Sequence, residues 1–288
     1  SYVDANLARQ NAEKAVSSAY GLVETRDDRM EISHSLFNYS HPYVEVMSWN
    51  EAKPAASIIA YMNGYEDPRR SVYFTTGRDG EYLGVRVGLN TSNVSAYRTN
   101  NLSDLNVNAS TPVVLMWAAE SYFLRAEGAI RGWNMGGSAE DFYNAGIKAS
   151  FDERGADGYA SYINSDKTPG AFTDIINGNS YSVTSTVTPK WDDNADFETK
   201  LERIITQKWI AGYLEGCEAW SDFRRTGYPR LIPVLSNASG GTINDAVGAR
   251  RIPFPDQEYI DNAAGVATGV ANLGGPDNGG TKVWWDKK

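Results

Sequence analysis

Between Phe197 and Gly212 the apolar positions fall every three or four residues. Leu201, Ile205, Trp209 and Gly212 mark one stripe, and Phe197, Ile204 and Lys208 lie beside it. That spacing predicts a helix with one buried face. The pattern then tightens into charge: Glu215, Glu218, Asp222, Arg224 and Arg225 crowd around Trp220 and Phe223. Carboxylates and guanidinium forks at such short range pair with one another, so the helix is expected to run on and end in an ionic knot. Gly227 supplies a left-handed cap, and Pro229, with no amide hydrogen to donate, stops the helix.

The same reading extends along the chain. Leu7, Ala8, Ala12, Ala15, Val16, Ala19, Leu22 and Val23 predict an amphipathic helix from Asp4 to about Thr25. From Arg26 to Trp49 periodicity is lost, and Tyr43, Val44, Val46 and Met47 suggest a short strand. Ala55–Met62 is expected as a short helix, and the runs SVYFTT and EYLGVRV as a hairpin around Gly77–Gly80. A polar loop over Asn90–Ser110 carries Tyr97 and Arg98 on the surface. Thr111 and Pro112 read as the cap and first position of a helix containing Val113, Trp117 and Leu124, ended by Gly132. Ser138 and Asp141 form a capping box for a second helix that stops near Gly155, antiparallel to the first.

Gly155–Lys190 is a polar insertion with a β-prone SVTSTVT, and Ile232–Ile252 is a loop. RRIPFPDQEY gives an extended segment and a helical turn. The Gly- and Asn-rich tail from Gly265 ends in VWWD, whose Trp284 and Trp285 are expected to pack back on the body. The elements make a mainly α chain with long irregular loops and short hairpins. It is read as one domain over 1–288, with a loop and hairpin excursion over 26–110 and a helical framework over 111–288.

Composition narrows the chemistry. A length of 288 residues with 41% hydrophobic content supports a full core. A net charge of -9 argues against nucleic acid, whose phosphates need a basic patch. The single Cys217 excludes an internal disulfide and is expected to be small and buried. His34 and His41 have no cysteine neighbours to make a metal site. Asp192, Asn194 and Asp196 open like a calcium loop, but Phe197 stands at the turn glycine and Arg203 at the bidentate Glu, so Asp196 reads as a helix cap. Glu120 with Glu127, or Glu215 with Glu218, could be proposed as hydrolytic pairs. Neither pair is placed across a groove by sequence, and neighbouring arginines neutralise such carboxylates. No phosphate-binding glycine fingerprint follows a strand, and no cofactor is implied.

Aromatic residues make up 12% of the chain, including 8 Trp and 17 Tyr. Their flat faces and polar edges suit sugar rings. By loop position and residue type, the candidate ligand contacts are Tyr43, Trp49, Tyr82 and Tyr97, with Asn50 and Arg98 as polar partners.

Four ordered stretches carry a family resemblance: DPRRSVYF from Asp67, LMWAAESYFLRAEGAIRGWN with SAEDFYNAGIKASF, QKWIAGYLEGCEAWSDFRRTGYP, and RRIPFPDQEY. Together they resemble the SusD/RagB family of surface glycan-binding lipoproteins. The resemblance implies a tetratricopeptide-type helical framework and a non-catalytic outer-membrane protein. Such a protein captures oligosaccharides or polysaccharides and passes them to a TonB-dependent, SusC-like transporter. It also implies a longer protein, with a lipid-attached cysteine and several helices before the first match. A peptide-binding or purely structural transporter subunit is the alternative within the same architecture.

Overall fold

The computed structural model describes residues 1–89 and 92–287. Asn90 and Thr91, at the start of the expected polar loop, and Lys288 lie outside them. Helix α1 (Ala5–Val16) starts at Asp4, whose carboxylate accepts the Leu7 amide at 2.9 Å, and stops well short of Thr25. Strand β1 (Met30–Ile32) follows, then α2 (His34–Phe37) and α3 (Pro42–Ser48). The stretch expected as a strand through Tyr43–Met47 is therefore helical: Pro42 sits in its first turn and His41 caps it. Helix α4 (Ala56–Gly64) is buried at every position from Ala56 to Met62.

The expected hairpin after α4 does not form. Its first run folds as α5 (Arg70–Tyr73), because one helical turn carries Tyr73 and Phe74 into the core, where the Tyr73 hydroxyl donates to the Ile210 carbonyl at 3.0 Å. The two runs instead make isolated bridges elsewhere, Phe74 to Leu105 and Val85 to Ala55. Helix α6 (Val94–Thr99) follows. Pro112 then leads into strand β2 (Val113–Met116), paired antiparallel with β1, so the next helix begins later than its sequence suggests.

That helix, α7 (Ala118–Ile130), packs along α8 (Ala139–Arg154). The pair is antiparallel: Glu153, near the end of α8, accepts the Ala118 and Ala119 amides at the start of α7, at 2.9 and 3.3 Å. Gly146 lets the helices approach, since a Cβ there would meet the Phe123 ring at 2.9 Å. Ser138 caps α8 as expected, and Gly155 ends it with φ of 64°. A short α9 (Tyr159–Tyr162) and the hairpin β3 (Ala171–Thr173) with β4 (Ser180–Ser182) fill the insertion.

Helix α10 (Phe197–Ala211) is capped by Asp196, which accepts the Thr199 amide at 2.8 Å. The expected single helix breaks here, and α11 (Gly216–Thr226) is a separate element. Leu214 takes φ of 86°, a left-handed conformation that an apolar side chain disfavours. The break moves Cys217 to the outside, where it is exposed rather than buried. Gly227 caps α11 as expected. Helices α12 (Asp256–Asp261) and α13 (Ala263–Leu273) follow, the latter in a stretch expected to be an irregular tail. Alanine-rich AAGVATGVANL explains the helix. Among the described residues no helix is long and apolar enough to cross a membrane.

Two charged centres hold the framework. Arg69 has no exposed surface and gathers four segments: Asp67 (2.6 Å at Nη2), Ser150 on α8 (2.9 Å), Tyr162 on α9 (3.2 Å) and Gln207 on α10 (3.1 Å). Its guanidinium also lies over the Phe151 and Tyr162 rings. The second centre is the ionic knot, organised by Lys208, which sits buried beside the apolar stripe. Its ammonium reaches Glu120 on α7 at 3.2 Å, and Glu218 and Asp222 on α11 at 2.5 and 2.7 Å. Arg225 joins by pairing with Glu127 and Asp222 at 2.5 and 2.7 Å. The tail is fixed separately: Arg250 forks onto Asp286 and donates to the Arg224 carbonyl at 2.7 Å. Trp285 packs under Arg224, whereas Trp284 remains 72% exposed.

Replacing Arg69 with Met leaves the Asp67 carboxylate buried without its partner. We expect a loss of about 3–5 kcal/mol, read by denaturant unfolding, and a loss below about 1 kcal/mol would contradict the role given to Arg69. Glu215, at the helix break, has its carboxyl pushed up to about 8 by burial and then by the nearby Glu120. A folded pKa above the unfolded one favours the protonated folded state, so this contribution is complete at acid pH and fades as pH rises through about 8. Glu215→Gln should therefore lose less stability than the parent between pH 5 and pH 9 in parallel urea melts. Equal losses would show that Glu215 does not titrate in that window.

Candidate functional site

The irregular excursion assembles the exposed chemistry. Helix α3 ends on Trp49, which is 57% exposed, and Asn50 turns the chain with φ of 56°, a conformation Asn tolerates better than most residues. The Asn50 side-chain amide donates to the Arg98 carbonyl at 2.8 Å, joining the end of α3 to α6. Arg98 in turn pairs with Glu51 at 2.8 Å, both side chains about half exposed. Beside them opens a groove of about 530 Å³, lined by Asn50, Glu51, Lys53, Arg86, Tyr97 and Arg98 among others. The fork of Arg86 is held by the Pro233 carbonyl at 3.2 Å and lies over Tyr181.

The six residues named from sequence separate on folding. Asn50 and Arg98 come together, with the exposed Trp49 next to Asn50 in the chain. Tyr97 is not on the surface: it is 7% exposed, its hydroxyl donates to Asp174 at 2.6 Å and accepts from Asn177 at 2.7 Å. Burial and the Asp174 hydrogen bond hold that phenol protonated. It braces α6 against the turn between β3 and β4 and forms part of the groove wall. Tyr82 packs against the core, half-buried beneath the Arg70 guanidinium at 5.3 Å, and does not join the others.

Tyr43 stacks on His41 with ring centres 5.6 Å apart and keeps 37% of its surface exposed. It walls a second hollow of about 270 Å³, together with Lys53, Trp209, Tyr213 and Glu215. Lys53 and Ala55 belong to this hollow and to the groove alike. Tyr43, Tyr213, Leu214 and Glu215 are in turn shared with a third pocket, also about 270 Å³, which reaches Arg29, Trp117 and Arg154. Groove, hollow and pocket thus share walls and lie in series, a track of adjoining cavities along the excursion.

The helix break contributes Tyr213, Leu214 and Glu215 to that track, and sequence periodicity missed them as site residues. The available signal was Gly212 and Gly216 flanking three residues inside an apolar repeat. The carboxylates considered for hydrolysis are mostly engaged. Glu127 is held by Arg131 and Arg225, which keep its carboxyl below the usual range; Glu120 and Glu218 share Lys208. Asp192 and Asp196 spend oxygens on the Asn194 and Thr199 amides at 2.9 and 2.8 Å. Among the described residues no three His, Cys, Asp or Glu side chains gather as metal ligands. What the track offers is aromatic faces beside short polar groups, the elements of sugar recognition.

The comparisons agree with this architecture. The model of the SusD-like family, described as SusD and RagB outer membrane lipoproteins, matches residues 1–286. A chitin-binding SusD homologue from Flavobacterium johnsoniae is 49% identical, with a TM-score of 0.94, over 99% of this chain and 60% of its own. SusD homologues from Bacteroides uniformis and Bacteroides thetaiotaomicron are 44% and 41% identical, with TM-scores of 0.91 and 0.92. The former is matched over 100% of this chain and 61% of its own, the latter over 99% and 61%. The chain therefore spans about three-fifths of the length of these relatives. No protein with a curated description matches it. With a mainly helical framework superposing on solved homologues and a family match along nearly its whole length, the chain belongs to the SusD/RagB family of outer membrane lipoproteins.

Proposed function

We propose that this chain captures oligosaccharides at the cell surface without cleaving them, and that the protein delivers them to a TonB-dependent, SusC-like transporter. The observation that carries the reading is this track, with the open face of Tyr43 on it, Asn50, Lys53 and Arg98 lining it, and the exposed ring of Trp49 next to Asn50 in the chain. Sugar rings would stack on the two aromatic faces while their hydroxyls exchange hydrogen bonds with the polar groups. Affinity then comes from shape and desolvation. The chitin-binding relative from Flavobacterium johnsoniae makes chitin fragments the first ligands to offer. Transport draws its energy elsewhere, so the capture step needs only reversible binding.

Isothermal calorimetry with chito-oligosaccharides tests capture. Trp49→Ala should raise Kd about tenfold, the equivalent of about 1.4 kcal/mol of lost stacking, with an unchanged melting temperature because the ring is exposed. Binding that ignores both Trp49→Ala and Tyr43→Ala would remove the track from the mechanism. Release of shorter sugars would overturn the non-catalytic reading, and co-purification with a barrel without glycan binding would turn it toward a structural or peptide-binding subunit.

A further inference from the structure

The pocket at the inner end of the track has a polar demand that the protein itself leaves unmet. Among the described residues nine buried side-chain nitrogen or oxygen atoms lack a hydrogen-bond partner, and three of the side chains that carry them are among those lining this one pocket: Trp117 with its Nε1, Arg154 with its Nε and Glu215 with its Oε1. Buried polar atoms are nearly always paired, because an unmade hydrogen bond costs about 1–3 kcal/mol. A cluster of them around a cavity of about 270 Å³ is therefore a specific vacancy in hydrogen bonding. The space is far larger than the ~30 Å³ share of a single water.

Three neighbouring groups are already committed. Both Glu153 oxygens accept backbone amides, Tyr73 donates to Ile210, and Arg29 pairs with Glu31. Arg154 uses Nη2 on the Ala211 and Tyr213 carbonyls at 3.1 and 3.3 Å and stacks on Trp117 at 3.7 Å, which leaves its Nε–H over. The two stacked groups thus carry two N–H donors without a partner. Glu215, on the strained turn at Leu214, offers a carboxyl oxygen within the electrostatic reach of Arg154. Tyr43, Tyr213 and Val72 supply apolar surface around them.

Two donors, one acceptor and an apolar wall match a secondary amide with a methyl group. We infer that this pocket reads the acetamido substituent of a 2-acetamido sugar: its carbonyl accepts from Trp117 and Arg154, its N–H donates to Glu215, and its methyl lies against the tyrosines. Burial favours the neutral form of the Glu215 carboxyl, so the amide N–H meets an uncharged acceptor on that side. The inference rests on the glycan reading above and adds where along the track the sugar type is distinguished. Trp49 would hold rings of any sugar, whereas the end pocket would select among them.

Chito-oligosaccharides and cello-oligosaccharides of equal length differ at each ring only by acetamido in place of hydroxyl, and both can be titrated calorimetrically into the full-length protein. The expected result is at least tenfold tighter binding of the acetylated series, because a site built around an amide rejects the analogue that lacks it. Glu215→Leu should shrink that preference, and Glu215→Gln, which keeps an acceptor oxygen, should retain most of it. Trp49→Ala should weaken both series alike. Equal binding of the two series by the parent protein would overturn the inference while leaving glycan capture intact, the three polar atoms then being met by water. A preference that survives Glu215→Leu undiminished would also overturn it. Binding of neither series would remove the glycan reading and this pocket's ligand with it.

Discussion

Arg69 is the group on which the framework depends. A guanidinium with no access to water is tolerable only where its charge and its donors are answered together, and Asp67, Ser150, Tyr162 and Gln207 answer it from four separate segments. The geometry admits little substitution. Lysine would reach one or two of these acceptors, and an apolar residue would abandon Asp67. Through this one side chain α8, α9 and α10 are held to the segment after α4, and the irregular excursion is launched from a fixed point. Mobile loops can carry a binding surface only if their roots do not move.

The Lys208 knot performs the complementary task one residue further along α10. The helix could have continued through Gly212, and in sequence nothing but two glycines argues against it. It breaks because Glu218 and Asp222 satisfy the buried ammonium only if α11 swings back across α7, where Glu127 also receives Arg225. Unanswered, that ammonium would cost far more than the left-handed turn at Leu214. The cost of the turn is local, and its product is the half-buried Tyr213–Glu215 segment that lines both the hollow and the end pocket.

Much of the framework was legible in the sequence because it rests on local signals. Ser138, Asp196, Gly155 and Gly227 act as caps where their residue types and spacings say they should, and the antiparallel α7 and α8 follow from a short link between two amphipathic runs. The errors share a different cause. Pro112 reads as a helix start until β1, some eighty residues earlier, offers a strand partner. The run at Tyr73 reads as a strand until a distant carbonyl at Ile210 claims its hydroxyl. Of the residues named from sequence as candidate contacts, Asn50 and Arg98 meet through a hydrogen bond, with Trp49 beside Asn50 in the chain. Tyr97 and Tyr82 show the limit, since a tyrosine in a polar segment looks the same whether its hydroxyl faces water or an Asp174 carboxylate.

The tail adds an order of events to this architecture. Arg250 and Asp286 are separated by 36 positions, yet each is nearly or wholly buried against the other, and the same arginine closes on the carbonyl of Arg224 at the end of α11. A chain emerging from the ribosome or from a translocation pore presents Arg250 long before its counter-ion exists. Until Asp286 arrives, the outer end of α11 lacks its clasp and the underside of Trp220 and Arg224 lacks Trp285. The helical body can settle early, but this face is sealed last, by residues synthesised after all the others it binds.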